Sequence, residues 1–171
     1  MDTCPTPPPR SSSTTCPPPA DAAAFQSLNE RWITAFFTLE DEDRRLLGDP
    51  VQHIVDAGGV VLVARLGSEV VGCVGLAPHG AGATPHDTDE FELVKMAVDP
   101  DHQGHGTGRR LIRAAIDRAR DLGARRVLLE TNSALTSAIH LYETTGFRHL
   151  GADEHPPSPY VRADVAMALD L

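Results

Sequence analysis

A chain of 171 residues, 41% of them hydrophobic, is long enough to bury one ordinary core. Fifteen basic against twenty-four acidic residues leave a formal charge of −9, which argues against nucleic acid as the main partner, since phosphate contacts need basic clusters. No apolar run reaches the ~20 residues that cross a bilayer, and the N-terminus lacks the apolar segment of a signal peptide, so the expectation is a cytoplasmic protein without a membrane partner.

Residues 1–20 hold seven of the fourteen prolines, seven Ser/Thr and only two charged residues. Such a segment cannot bury enough apolar surface to order itself and reads as a disordered tail ahead of a domain at 21–171. From Asp21, a candidate cap, Phe25, Leu28, Trp32, Phe36 and Leu39 recur at helical spacing. A polar connection or short helical turn follows to Gly48-Asp49-Pro50, then room for a short helix over 51–56. "VVLVARL" (60–66) and "EVVGCVGLA" (69–77) read as strands joined by the two-residue turn Gly67-Ser68. After the polar loop 78–89 comes a third strand, "EFELVKMAV" (90–98). A helix then presents Leu111, Ile112, Ala115, Ile116 and Ala119 on one face and stops at Gly123. Strand "RRVLLET" (125–131), a helix over 133–145, and strands over 147–151 and 160–171 complete an α/β fold with a mixed sheet.

Of the three cysteines, Cys73 lies in an apolar strand and reads as a small buried hydrophobe. A cytosolic compartment argues against a disulfide between Cys4 and Cys16. His102 and His105 form an H-x-x-H, but in a loop and without an evident acidic third ligand, so they read as surface histidines and no metal is expected. His79 and His86, in the loop before the third strand, read as loop polars that could touch a substrate.

Between the third strand and its helix stand Gly104, Gly106 and Gly108. A helix N-terminus has amides without partners and a partial positive charge, and glycines let an anion approach the backbone. The alternative is a tight turn with close helix–sheet packing. A P-loop would need a Lys after the glycines, and a dinucleotide loop would need a glycine where Arg109 stands. What fits is Gln103-Gly104-His105-Gly106-Thr107-Gly108, a Q-x-x-G-x-G pattern after Val98-Asp99-Pro100.

On these residues the chain resembles the GNAT family of acetyl-CoA-dependent N-acetyltransferases. "ELVKMAVDPDHQGHGTGRRLI" looks like that family's pyrophosphate motif, and "LLETNSALTSAIHLYETTGFRHLG" is similar to its second signature. The bacterial subgroup that it most resembles includes acetyltransferases fused to MarR-like DNA-binding regions, and no such region lies in this sequence. The resemblance implies a mixed sheet flanked by helices, its central strands splayed around an acyl-CoA cleft. It implies acetyl-CoA as co-substrate, a small-molecule or peptide amine as acceptor, and a homodimer as a possible assembly. Backbone groups of Met96, Ala97 and Val98 would line the pantetheine arm, and Gln103, Gly104, His105, Gly106, Thr107, Gly108 and Arg109 the pyrophosphate. The family's first strand would fall in "SSSTTCPPPA". Leu135 stands where many members place a cofactor-contacting asparagine, with Asn132 three residues earlier as a substitute.

Acetyl transfer from a thioester to an amine needs a base for the amine proton, a donor for the oxygen that gains charge, and a proton for the departing thiolate. By the same resemblance Glu92 is the first candidate base, Glu130 the second, and Tyr142 the acid. Their structural alternatives are solvated strand-edge carboxylates and a core tyrosine. A domain that binds acetyl-CoA without turnover, as a sensor or partner module, is a second reading of the whole chain, and an enzyme using another acyl-CoA or an alcohol acceptor is a third.

Overall fold

The computed structural model describes residues 19–80 and 88–171. Helices α1 (Pro19–Phe36) and α2 (Asp41–Gly48) lead through a single π-helical turn (Val51–Val55) into strands β1 (Val60–Leu66), β2 (Glu69–Pro78) and β3 (Glu90–Val98). Helix α3 (Thr107–Asp121), strand β4 (Arg126–Thr131), helix α4 (Thr136–Thr144) and strands β5 (Arg148–His149) and β6 (Val165–Asp170) follow. The strands form one six-stranded sheet in the order β1-β2-β3-β4-β6-β5. All pairs are antiparallel except β3–β4, the junction that α3 crosses. The mixed α/β fold is thus the one expected.

Apolar residues sort to the two sheet faces. On one, Leu111, Ile112, Ala115 and Ala119 of α3 pack on Val74, Leu76, Phe91 and Val127. On the other, Phe25 and Ile33 of α1, with Leu46 and Leu47 of α2, pack on Val61, Cys73 and Ala97. Cys73 is fully buried beside the Asn29 amide, and burial pushes its thiol up to about 12, so it is inert.

Two features of β3 open the sheet. Its parallel pairing with β4 ends at Leu93↔Leu129, although both strands run on. Against β2, Cys73 faces Ala97 and Gly75 faces Val94, so the single Val74 stands opposite both Lys95 and Met96. This is a β-bulge, and Lys95 carries its strain at φ 52°, the only positive φ outside glycine among the described residues. The extra residue reverses the alternation. Phe91 and Leu93 face the α3 side before it, and Met96 and Val98 do so after it. Beyond Leu93 the free edge of β3 therefore borders a gap toward β4.

Several boundaries differ from the sequence expectation, each for a local reason. Helix α1 starts at Pro19, and Asp21 is not a cap: it is buried inside the helix and paired with Arg65 of β1. Helix α4 starts at Thr136 rather than 133, because Asp164 holds the Ser133 N–H and hydroxyl while Asn132 Oδ1 holds the Ala134 N–H at 2.9 Å. Strand β6 starts at Val165 rather than 160, because Glu40 of the segment before α2 takes the Val161 and Arg162 N–H groups. β5 keeps only two residues. The Pro-rich segment through residue 18, with Cys4, Cys16 and the expected first strand, and the loop 81–87 with His86 lie outside the described residues.

Candidate active site

The gap between β3 and β4 holds two adjoining cavities. The larger, about 560 Å³, is bordered by β3 from Met96 to Val98, by the loop and start of α3, and by α4 from Leu135 to Tyr142. The smaller, about 100 Å³, reaches toward α1 and the β5–β6 loop and holds Glu92, Lys95, Glu130, Tyr160 and Arg162. Trp32, Met96, Thr131, Leu135 and Tyr142 border both, so the cavities meet at these five side chains.

The glycines divide two tasks between them. Gly104 and Gly106 both adopt φ 79°, with open space where a Cβ would project, so the turn needs them for backbone conformation. Gly108 instead sits at a close approach, since a Cβ there would lie 3.1 Å from Leu141 Cδ2 of α4, whose side chain would have to give way slightly. The first bond of α3 runs from the Arg110 N–H to Gly106 O, and Gly106 offers no capping side chain. The Thr107, Gly108 and Arg109 amides therefore have no helical acceptors, and the three residues border the larger cavity, an arrangement that suits an anion.

Val98 marks the free edge. The next N–H, Asp99's, donates to Val71 O of β2, so strand alternation turns the groups of Val98 away from β2. Its carbonyl accepts from Gln103 Nε2 at 3.1 Å, which ties the glycine loop to the strand. Met96, Ala97, Val98, Gln103, Gly104, Gly106, Thr107, Gly108 and Arg109 all border the larger cavity. His105 is exposed and does not, and Asn132 stands on the smaller cavity with its amide already used, Nδ2 donating to Arg162 O at 2.6 Å. The His102 ring lies 3.4 Å from Asp99, and no group of three or more potential ligands among the described residues could hold a metal.

Glu92, Glu130 and Tyr142 are brought together on the smaller cavity. Glu92 Oε2 lies 3.5 Å from His79 Nδ1, and this partner raises the His79 pKa above the usual histidine range against the effect of burial. Glu130 is more enclosed. Ser158 donates to its Oε2 at 2.6 Å and His155 lies 3.5 Å from its Oε1. Burial raises the Glu130 carboxyl above its ordinary range; the Ser158 hydrogen bond opposes it, and the neighbouring Glu92 charge adds a smaller push upward. Tyr142 packs edge-on to Phe147 with centroids 6.1 Å apart, and burial pushes its phenol up to about 12.

Sequence reasoning missed the charged wall beside them. Fully buried Asp43 of α2 accepts from Lys95 at 2.6 Å and from both terminal nitrogens of Arg162 at 2.7 Å. Burial works to raise the Asp43 pKa, but these donors hold it down to about 2. Burial lowers Lys95 below its usual range, with Asp43 opposing. Tyr160 covers both cations, its ring centroid 4.1 Å from Lys95 Nζ and 4.8 Å from the Arg162 guanidinium carbon. A lysine inside the apolar run "ELVKMAV" was the one signal in the sequence, and its partner lies 52 residues away.

Residues 22–147 match the acetyltransferase (GNAT) family. This chain belongs to that family. It is 34% identical over 125 residues to the N-acetyltransferase YjgM of Escherichia coli, an alignment covering 70% of this chain and 72% of that one. Among solved structures, a GNAT-family acetyltransferase of Staphylococcus aureus superposes with a TM-score of 0.77 at 17% identity, covering 90% of this chain and 95% of that one. An acetyltransferase of Salmonella typhimurium, solved with acetyl-CoA, superposes at 0.65 and 21% identity, covering 91% of each chain. Mammalian relatives of the N-acetyltransferase 8 group are longer, and the alignment spans 44% of the rat 8B protein.

Proposed function

We propose that this chain transfers an acetyl group from acetyl-CoA to a primary amine of a small molecule or peptide by direct attack on the thioester. The observation that carries the proposal is the position of Tyr142 where the two cavities meet, with Glu92 in the smaller and the α3 amides at the larger. A Salmonella protein of the same fold was solved with acetyl-CoA, which supports acetyl-CoA as the co-substrate.

In this reading the Thr107, Gly108 and Arg109 amides hold the pyrophosphate and the free edge of β3 at Met96 and Val98 pairs with the pantetheine arm. Glu92 takes one proton of the acceptor ammonium, the neutral amine attacks the thioester carbon, and as the C–S bond breaks the nitrogen's second proton replaces the one that Tyr142 gives up. Glu130 is the weaker candidate for that task, because both its oxygens already face the β5–β6 loop through Ser158 and His155. The bulge at Lys95–Met96 frees backbone from β2 at the junction, and the Met96 N–H is the donor for the oxygen that gains charge. Tyr142 returns a proton to the departing thiolate.

The resemblance to the acetyltransferase part of MarR fusions, a catalytic domain over 21–171, a cytoplasmic setting and a homodimer belong to the same proposal. The decisive test is calorimetry with acetyl-CoA on the wild type and Gly106→Ala, followed by a screen of amines for CoA release. Gly106→Ala, strained at φ 79°, is expected to weaken binding at least about tenfold through loss of the amide cradle. Equal affinity in the folded variant would remove the glycine loop from the site. Tight binding with no turnover on any amine would favour the sensor reading.

A further inference from the structure

We propose that the smaller cavity selects a primary amine with no carboxylate beside it, such as an amine, a diamine or a peptide N-terminus, and rejects free α-amino acids. The inference rests on the acetyltransferase reading and names the acceptor class for the same site.

It follows from a count of charges around the cavity. Its only cations among the described residues are Lys95 and Arg162, and neither is open to an incoming anion. Lys95 is matched by Asp43 at 2.6 Å, and Arg162 by Asp43 at 2.7 Å and Glu40 at 3.1 Å. Asp43 is fully buried, with its carboxylate fixed from three sides, so it cannot turn away to release either cation. The ring of Tyr160 lies against both. By contrast the two carboxylates on the cavity, Glu92 and Glu130, have no Lys or Arg partner among the described residues, only the imidazoles of His79 and His155.

An ammonium entering toward Glu92 therefore meets complementary charge. In a free α-amino acid the carboxylate is bonded to the carbon that bears the amine, so it must enter the same space. There it meets two carboxylates, each already holding the imidazole beside it, and no unmatched Lys or Arg among the described residues, flanked by the apolar surfaces of Trp32 and Phe37. Like charges in a partly dry site are disfavoured strongly enough to set specificity. An amide, as in a peptide N-terminus, brings no such charge.

The test uses the full chain with acetyl-CoA and reads CoA release. The acceptors form two matched sets: phenylalanine, phenylalaninamide and phenethylamine, then lysine, lysinamide and 1,5-diaminopentane, with an alanine-headed tripeptide as the peptide arm. The amides and amines are expected to exceed the free acids in kcat/KM by at least about tenfold. Glu40→Gln removes one of the two anionic partners of Arg162 and is expected to narrow that gap. A merely structural role for Glu40 would lower all acceptors alike. Parity between phenylalanine and phenylalaninamide in the wild type would overturn the inference and leave the acetyltransferase reading standing. An unchanged ratio in folded Glu40→Gln would overturn the assignment of matched charge at Arg162 as its cause. No CoA release from any acceptor, with acetyl-CoA bound by calorimetry, would overturn both.

Discussion

Ser158 donates its hydroxyl to Glu130 Oε2 at 2.6 Å, and this contact separates the two carboxylates of the site. Glu130 is a fastening point for the β5–β6 loop, and Glu92 is left facing the cavity with a histidine behind it. Glu92→Gln is expected to lower kcat by about 10²–10⁴-fold, the usual contribution of a general base. Glu130→Gln and Ser158→Ala are expected to act mainly on the acceptor KM, because they loosen the loop that carries Tyr160 and Arg162. Steady-state kinetics on the three variants decide it. A kcat loss in Glu130→Gln equal to that of Glu92→Gln would reverse the assignment.

The Glu92–His79 contact makes a pH-dependent contribution to stability. His79 is faced by Glu92, with Glu90, Glu130 and the His155 ring nearby, the last 6.2 Å away between centroids. Its folded pKa is raised, chiefly by Glu92. A group whose pKa rises on folding stabilises the fold fully below its unfolded value, about 6.5, and the benefit fades as pH rises through the higher folded value. His79→Gln should therefore melt below the wild type at pH 5–6, an interval set by that ~6.5 reference, and the difference should shrink on the alkaline side. A melting difference that grows with pH would contradict the ion pair.

How much of this was legible beforehand depends on how far apart the partners lie in the chain. Strands β1 and β3 were readable because alternating or continuous β-branched runs end at Gly, Pro and Asp. The glycine loop was readable because glycines at alternate positions ahead of a helical pattern mark a turn of positive φ, which Gly104 and Gly106 adopt. The bulge was not. Nothing local in "ELVKMAV" tells that Val74 will face two residues. The delayed starts of α4 and β6 were equally hidden, since Asp164 and Glu40 reach back from distant segments to claim backbone N–H groups. Glu92, Glu130 and Tyr142 were reached by resemblance, and their common cavity needed the fold.

Asp43 should be the most sensitive position of the acceptor wall to substitution. Removing one member of a buried ion network leaves the others uncompensated and typically costs about 3–5 kcal/mol. Asp43→Asn strands Lys95 and Arg162 together, so urea unfolding should show a loss of that order. In the wild type the contribution of Asp43 is present above the unfolded carboxylate value of about 3.9 and is lost as pH falls through its folded pKa of about 2. A change within about 0.5 kcal/mol, the range of ordinary surface substitutions, would show that the network adds nothing net.

Tyr142 carries the last expectation. Its ring packs on Phe147 and against the core on the α3 side of the sheet, and it borders both cavities. Burial puts its pKa at about 12, so the phenol keeps its proton across the working range and can donate it. Tyr142→Phe preserves the ring and its packing and removes only that proton. General acid catalysis contributes about 10²–10⁴-fold, so kcat should fall within that range while acetyl-CoA affinity and melting temperature stay near the wild type. A tyrosine held only for packing predicts unaltered turnover, because phenylalanine fills the same space. Single-turnover measurements, in which product release does not mask the chemical step, separate the two, and an unchanged rate would take Tyr142 out of the mechanism.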